Sequence, residues 1–363
     1  MKRAVRKLPG SIKVRLGTLE RAKAFPDFLI IGAQKAGTTW LHRNLQNHPR
    51  IWMPKEKELH YFDEKIRINA PIKDKLFGKQ PADERWRRQV RRQLRAYKRR
   101  FSVQDVAWDL RYFLSRPSDE WYASLFQQGR GKITGEATPD YSILGRKAVA
   151  HVHEIMPETK IILMVRNPIE RAWSQALMDF SRARSLEAIP DEEFRQHFEG
   201  HRPRLFSDYL RTIANWGGFY PEEQIFVGFL EDVHFYPNRL LRRLYRFLGA
   251  GASDDYRVIK RKIHSRAVEQ MPTRLASHLA RVYHDDIRRL DERFGGYASF
   301  WLYCAERLIE DPPAGESIPY PLWESSLWEV WARASGMEAA MGSREAEPES
   351  GPLSSIQTAS RGV

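Results

Sequence analysis

Cysteine is almost missing from this chain. Cys304 is the single one in 363 residues, which excludes an intrachain disulfide and a cysteine zinc cluster. Its place in the apolar stretch Phe300–Cys304 reads as a buried thiol. No run approaches the roughly 18 apolar residues of a membrane span. The basic N-terminus (Lys2, Arg3, Arg6, Lys7) is not followed by the apolar core of a secretion signal. A reducing, cytoplasmic setting is therefore expected, with residues 1–24 a solvated basic segment that could touch an anionic membrane surface. Acidic side chains are also in deficit, 46 against 60 Lys and Arg, for a net charge of +14. That surplus favours anionic partners: nucleotide phosphate, acidic polysaccharide, nucleic acid or an anionic membrane face. No internal repeat is visible.

What is present is a regular alternation. Phe28–Ile31 reads as a buried strand and Thr38–Asn47 as the helix after it, with Trp40, Leu41 and Leu45 at helical spacing. Lys160–Val165 is a second buried strand, followed by a helix over Pro168–Phe180 with proline in its first turn. Ile225–Asp232 is a third strand, and Tyr236–Gly249 an amphipathic helix closed by glycine. The pattern predicts an α/β fold of three layers, a central parallel sheet flanked by helices. Its main domain would run over residues 25–305, with a basic helical insert at about 65–118. There, Arg85–Arg100 carries nine basic residues around an apolar stripe of Trp86, Val90, Leu94, Tyr97 and Phe101. The insert reads as a surface helix docked by that stripe, or as a cationic wall beside an acidic substrate. Residues 306–335, with three tryptophans, read as a C-terminal docking segment, and 336–363 as a disordered tail.

The first informative stretch is "FLIIGAQKAGTTWL". A strand that ends in a glycine loop and opens a helix is an anion site, because free N–H groups and the helix dipole face the ligand. Gly32 and Gly37 would allow close backbone approach, Thr38 and Thr39 would add hydroxyl donors, and Ala36 lies between them. The loop nearly matches G-x-x-x-x-G-K-[ST], but Thr38 occupies the lysine position and Lys35 sits inside the loop. No strand clearly ends in a metal-binding aspartate: Val165 is followed by Arg166, and Asp232 lies well downstream. The loop therefore suits a ligand less charged than a metal-bound triphosphate. A P-loop kinase or nucleoside-triphosphatase is the alternative.

The second stretch is "VRNPIERAWSQAL". Arg166 follows a buried strand, where ligands of parallel sheets bind. It offers a planar fork to phosphate, and Ser174, about two helical turns on, offers a hydroxyl. Arg171 between them reads as a surface ion-pair residue. A second phosphate site apart from the first implies a nucleotide phosphorylated at two places.

With both motifs in order, the chain resembles the sulfotransferases that use 3′-phosphoadenosine 5′-phosphosulfate (PAPS), over roughly residues 26–300. Further similarity lies in "GEATPDY" and "FLEDVHFYPNRLLRRLYRFLG". It looks most like the heparan-sulfate branch and its bacterial relatives. The resemblance implies that the 5′-phosphosulfate sits in the loop of Lys35 and the 3′-phosphate on Arg166 and Ser174. It also offers Lys262, Ser265 and Arg266 as candidates in a basic late loop that closes over the phosphates, with a solvated charge run as the alternative.

"KEKELHYFDE" supplies Glu56, Glu58, His60 and Asp63. Transfer to a hydroxyl or amine needs a base for the acceptor proton. Residues 58 and 60 would project the same way in an extended segment. The heparan-sulfate branch has a similar segment whose Glu is taken as the base, which maps to Glu58, with His60 as support or alternative base. The resemblance thus implies in-line transfer of a sulfuryl group from PAPS to a hydroxyl or amine of a carbohydrate or glycolipid, leaving PAP, and the positive net charge hints at an acidic acceptor. Glu58 would be the base, Lys35 would stabilise the leaving oxygen, and no metal would be needed. The chain departs at Ala137, where related enzymes often have lysine, so another cation must substitute or the acceptor differs. "HVHE" (His151–Glu154) would place its two imidazoles on different helix faces and is not read as a metal pair. A non-catalytic binder of nucleic acid or anionic polymer is the third reading, and nucleic acid is not expected as a partner. On sequence alone, Arg166→Ala should weaken donor binding and spare thermal stability.

Overall fold

The five residues of β1 (Phe28–Gly32) are all buried. An unbroken apolar run of that kind is what a parallel strand covered on both faces requires. A computed structural model describes residues 25–63, 72–97, 102–180, 188–251 and 270–335. After β1 come α1 (Thr38–Gln46), β2 (Ile51–Trp52), α2 (Ile72–Phe77), α3 (Pro81–Tyr97), α4 (Val103–Leu114), α5 (Asp119–Ser124), β3 (Ile133–Ala137) and α6 (Arg146–Ile155). Next are β4 (Lys160–Val165), α7 (Pro168–Phe180), α8 (Asp191–Glu199), α9 (His201–Ser207), α10 (Tyr209–Gly217), β5 (Ile225–Phe229), α11 (Leu230–Phe235) and α12 (Pro237–Leu248). The chain continues through β6 (Gln270–Pro272), α13 (Thr273–Phe294), α14 (Tyr297–Glu310), β7 (Ser317–Pro319) and α15 (Ser326–Ala334).

The main sheet has five strands in the order β2-β3-β1-β4-β5, and every pairing is parallel. Ile30 stands opposite Ala137 and Gly32 opposite Leu163. The carboxyl ends of β3, β1 and β4 therefore come out along one edge, where parallel sheets bind ligands. β6 and β7 form a separate antiparallel pair.

The fold departs from expectation in three of its elements or segments. Neither β2 nor β3 was anticipated, although β3 is the direct neighbour of β1. The third expected strand stops at Phe229, and Asp232 lies in α11 rather than at a strand end. The insert helix packs Trp86 and Val90 inward, but Leu94 is 59% exposed. Some of its cations serve the fold. Arg92 and Gln93 hold Glu56, which is buried. Arg87 donates to the carbonyls of Lys75, Leu76 and Gly78. In the C-terminal segment Trp328 packs against Phe235 and Phe300. Among the described residues, no helix is long and apolar enough to cross a membrane.

One buried acid gives the fold a pH signature. Glu231 on α11 is fully buried, with the Trp301 indole N–H donating to Oε1 at 2.6 Å and, among the described residues, no hydrogen bond to Oε2. Burial, with nearby Glu170, pushes its carboxyl from an ordinary 4.5 up to about 8. The folded chain thus keeps a proton that the unfolded chain releases, so this residue erodes stability as pH rises from about 4.5 to about 8. Glu231→Gln should gain on the parent across that window. Denaturant midpoints of the two should draw apart from pH 5 to pH 8, and a constant gap would refute the assignment.

Candidate active site at the carboxyl edge of the sheet

Two glycines shape the loop after β1, for different reasons. A Cβ on Gly32 would meet the Cβ of Ser142 at 2.7 Å and the Pro139 carbonyl at 3.2 Å. The turn Pro139–Ile143 therefore requires Gly32, and the space beside it belongs to protein rather than ligand. Gly37 caps α1 with φ 87, a left-handed conformation that glycine adopts without strain. Ala36 is fully buried and spends its N–H on the Ala33 carbonyl at 3.2 Å inside the loop, so it supplies no donor to a ligand. Thr38 is buried and Thr39 half-buried on the first turn of α1. That turn has no acidic residue and no side-chain cap, which leaves its field suited to an anion.

Across the edge, Arg166 leaves β4. Its Nη1 donates to the Lys35 carbonyl at 3.2 Å, so the two expected phosphate stretches meet. The fork is not open, however. Nε and Nη2 bond Oε2 of Glu170 at 3.1 and 2.9 Å, and Nη2 also bonds the Tyr320 hydroxyl at 2.8 Å. Among the described residues, four of the five guanidinium N–H donors are thus engaged, and the remaining one is on Nη1, the end at the loop. Ser174 is half-buried on α7, one turn beyond Glu170 and on the same face. Arg171 is neither at the surface nor at the site. It is fully buried, donating to Ser207, Gln175 and the Pro203 carbonyl. Lys262, Ser265 and Arg266 lie outside the described residues.

The third component comes from Lys57–Asp63. Glu58 and His60 are brought together, but not by an extended strand: their φ angles are 70 and 57. The strip is held by the Glu58 N–H on the Ala137 carbonyl at 3.0 Å, by burial of Leu59, and by the Tyr61 N–H on the Tyr141 hydroxyl at 3.0 Å. Within it, His60 Nδ1 lies 2.7 Å from Asp63 and Nε2 lies 3.5 Å from Glu58. Lys57 Nζ bonds the other Glu58 oxygen at 2.7 Å. Burial alone would raise the Glu58 carboxyl, but the His60 hydrogen bond and Lys57 outweigh it and bring it down to about 2. Burial would lower His60, yet Asp63 and Glu58 raise it to about 9. At neutral pH the pair is therefore carboxylate and imidazolium, so Glu58 is the group able to take a proton and His60 its charged clasp. His42, on α1 one turn after Thr38, is held down to about 4 by burial and by Lys57, which places this cluster against the helix that the loop opens.

Among the described residues, the non-glycine residues with positive φ are Lys35, Glu58 and His60. Each such conformation costs on the order of 1–3 kcal/mol and persists only where surrounding structure enforces it, commonly at functional sites. All three are the residues that the sequence reading selected for chemistry.

One oxygen or nitrogen each from Glu58, His60 and Asp140 fall within 4.8 Å of one another. Cations already serve this group, since Arg202 pairs with Asp140 and Lys57 with Glu58. His151 pairs with Asp119 and His153 packs on Tyr220, so the H-x-H pair diverges. Sequence reasoning missed Lys57, Glu170 and Tyr320. Glu170, four residues beyond Arg166 on a helix, carried a local signal; Tyr320, 154 residues away, carried none.

The chain is similar to known proteins in sequence and in fold. A profile described as "Sulfotransferase family" matches residues 26–254. Human heparan sulfate glucosamine 3-O-sulfotransferase 6 is 27% identical over 219 residues, 59% of this chain and 49% of that protein. The Dictyostelium discoideum membrane-associated sulfotransferase kil1 is 28% identical over 150 residues, 41% of this chain and 22% of that protein. The chain thus spans half or less of the length of these curated relatives. The crystal structure of a sulfotransferase from Alicyclobacillus acidocaldarius superposes with a TM-score of 0.50 at 25% identity, covering 77% of this chain and 99% of that one. With its parallel sheet, its lysine-bearing loop after β1 and the profile match over most of the sheet-forming region, the chain belongs to the sulfotransferase family.

Proposed function

We propose that this protein transfers the sulfuryl group of PAPS to a hydroxyl or amine, with a carbohydrate as acceptor. The observation that carries the reading is the meeting of Lys35, Arg166 and the Glu58–His60 pair at one sheet edge, with three of these four residues in strained conformations. The donor would lie with its 5′-phosphosulfate at the Lys35 loop and the first turn of α1. Its 3′-phosphate would sit at Arg166 Nη1 and Ser174.

The acceptor oxygen or nitrogen forms a bond to sulfur as its proton passes to the Glu58 carboxylate. The bond from sulfur to the bridging oxygen breaks, and PAP leaves with the electron pair. Charge growing on that oxygen is met by Lys35 and the α1 N–H groups, the kind of preorganised stabilisation worth a few kcal/mol per donor. Lys57 is the cation beside Glu58, in a chain whose β3 ends in Ala137 where related enzymes often carry lysine. Relatives named for heparan sulfate glucosamine favour a sugar acceptor, and the net charge of +14 favours an acidic one.

Titration calorimetry with PAP, ADP and ATP–Mg²⁺ tests the reading. PAP should bind tightest, and much tighter ATP–Mg²⁺ would favour a kinase. Arg166→Ala is a poor probe, contrary to the sequence expectation. It would strand the buried Glu170 carboxylate, and breaking such a pair costs about 3–5 kcal/mol, so its melting temperature should drop. Arg166→Lys keeps the charge on Glu170 and loses the fork. It should weaken PAP binding about 10-fold or more and leave AMP, which lacks the 3′-phosphate, little changed. Equal weakening of both nucleotides would remove Arg166 from the 3′-phosphate site.

A further inference from the structure

The profile match ends at residue 254, yet a much later segment touches both members of the Arg166–Glu170 pair. Tyr320 places its hydroxyl 2.8 Å from Arg166 Nη2, and its ring lies under the guanidinium at 5.2 Å. Two residues on, the Leu322 N–H donates to Oε1 of Glu170 at 2.7 Å, the oxygen that Arg166 does not use. Leu322 is fully buried, so this contact is fixed by packing. One short arm thus contacts both the acid and the base of a buried ion pair. The pair and the arm occupy Nε and Nη2, and Nη1 is the end left against the Lys35 loop.

We infer that the arm Ser317–Glu324 is part of the donor site, with Tyr320 a positioning residue that turns Arg166 Nη1 toward the 3′-phosphate of the nucleotide. This rests on the proposed role of Arg166. A guanidinium held by one carboxylate oxygen and one loop carbonyl can still swing about the line between them. A further hydrogen bond and a stacked ring stop that swing, so the orientation cost is met before the nucleotide arrives. Selectivity for the 3′-phosphorylated nucleotide would then depend on a residue that touches neither phosphate nor acceptor.

The test is the ratio of AMP to PAP dissociation constants in the full-length protein, measured by calorimetry alongside melting temperatures. The two ligands differ only in the 3′-phosphate. Tyr320→Phe keeps the ring and loses the hydroxyl, and should lower the ratio about 3- to 10-fold through PAP alone. Tyr320→Ala should lower it further, with AMP affinity held. Three outcomes overturn the inference: a ratio unchanged in both folded variants, parallel weakening of AMP and PAP, or tighter PAP binding, which would make Tyr320 a cover over the site. Arg166→Lys separates the inference from its premise. If that variant lowers the ratio while the Tyr320 variants do not, the phosphate role of Arg166 stands and the arm's role fails. If Arg166→Lys leaves the ratio intact, the premise itself has failed.

Discussion

Glu58→Gln should lower kcat for sulfuryl transfer by about 10²–10⁴, the usual contribution of a positioned general base, while PAP affinity stays within a few-fold of the parent. The amide keeps the size and the left-handed backbone but cannot take the acceptor proton. It also removes one of the two carboxylates that hold His60 as imidazolium, so the His60 titration should move down from about 9 when followed by NMR. The pH profile of the parent follows from the same pair. With Glu58 held at about 2, kcat/KM should show no acid limb from this residue above the pH at which the protein unfolds. An alkaline limb near 9 should mark loss of the His60 proton and of its clasp on Glu58. Wild-type turnover by Glu58→Gln would dismiss it as the base and reopen the choice of proton acceptor.

Lys35→Ala is the second large effect. Removing one preorganised donor from a developing oxyanion typically costs about 10²–10³ in kcat, and Lys35 is the charged side chain of the loop that opens α1. Single-turnover experiments with saturating PAPS isolate the transfer step from donor binding. A loss confined to PAPS affinity, with the transfer rate intact, would make Lys35 a phosphate ligand rather than a stabiliser of the leaving group. The Arg166 contact is to the Lys35 backbone carbonyl, so the substitution leaves that contact available and the fold should persist.

β1 and β4 were legible because strands buried on both faces are written as unbroken apolar runs. β3 was not, because its sequence "ITGEA" contains a glycine and a glutamate, both against strand propensity. Each has a tertiary cause. A Cβ on Gly135 would strike the Phe28 ring at 2.3 Å. Glu136 is buried with hydroxyl donors from Tyr122 at 2.5 Å and Thr138 at 2.9 Å. The chemistry of the site was legible from residue type: a lysine displaced within a loop, and a glutamate two positions before a histidine. Its geometry was not. Alternation suggested an extended strip, whereas Glu58 and His60 meet through two left-handed residues flanking buried Leu59. The occupancy of Arg166 was hidden for a different reason, since Tyr320 and Leu322 reach it through folding rather than proximity in the chain.

The left-handed backbone at Lys35, Glu58 and His60 sets a trap for anyone seeking a hardier version of this protein. Glycine relieves such strain, and against an entropic cost of about 0.5–1 kcal/mol the relief can win. A screen that rewards heat resistance alone would therefore drift toward glycine at the positions whose side chains the catalyst cannot spare, enriching robust but inert descendants.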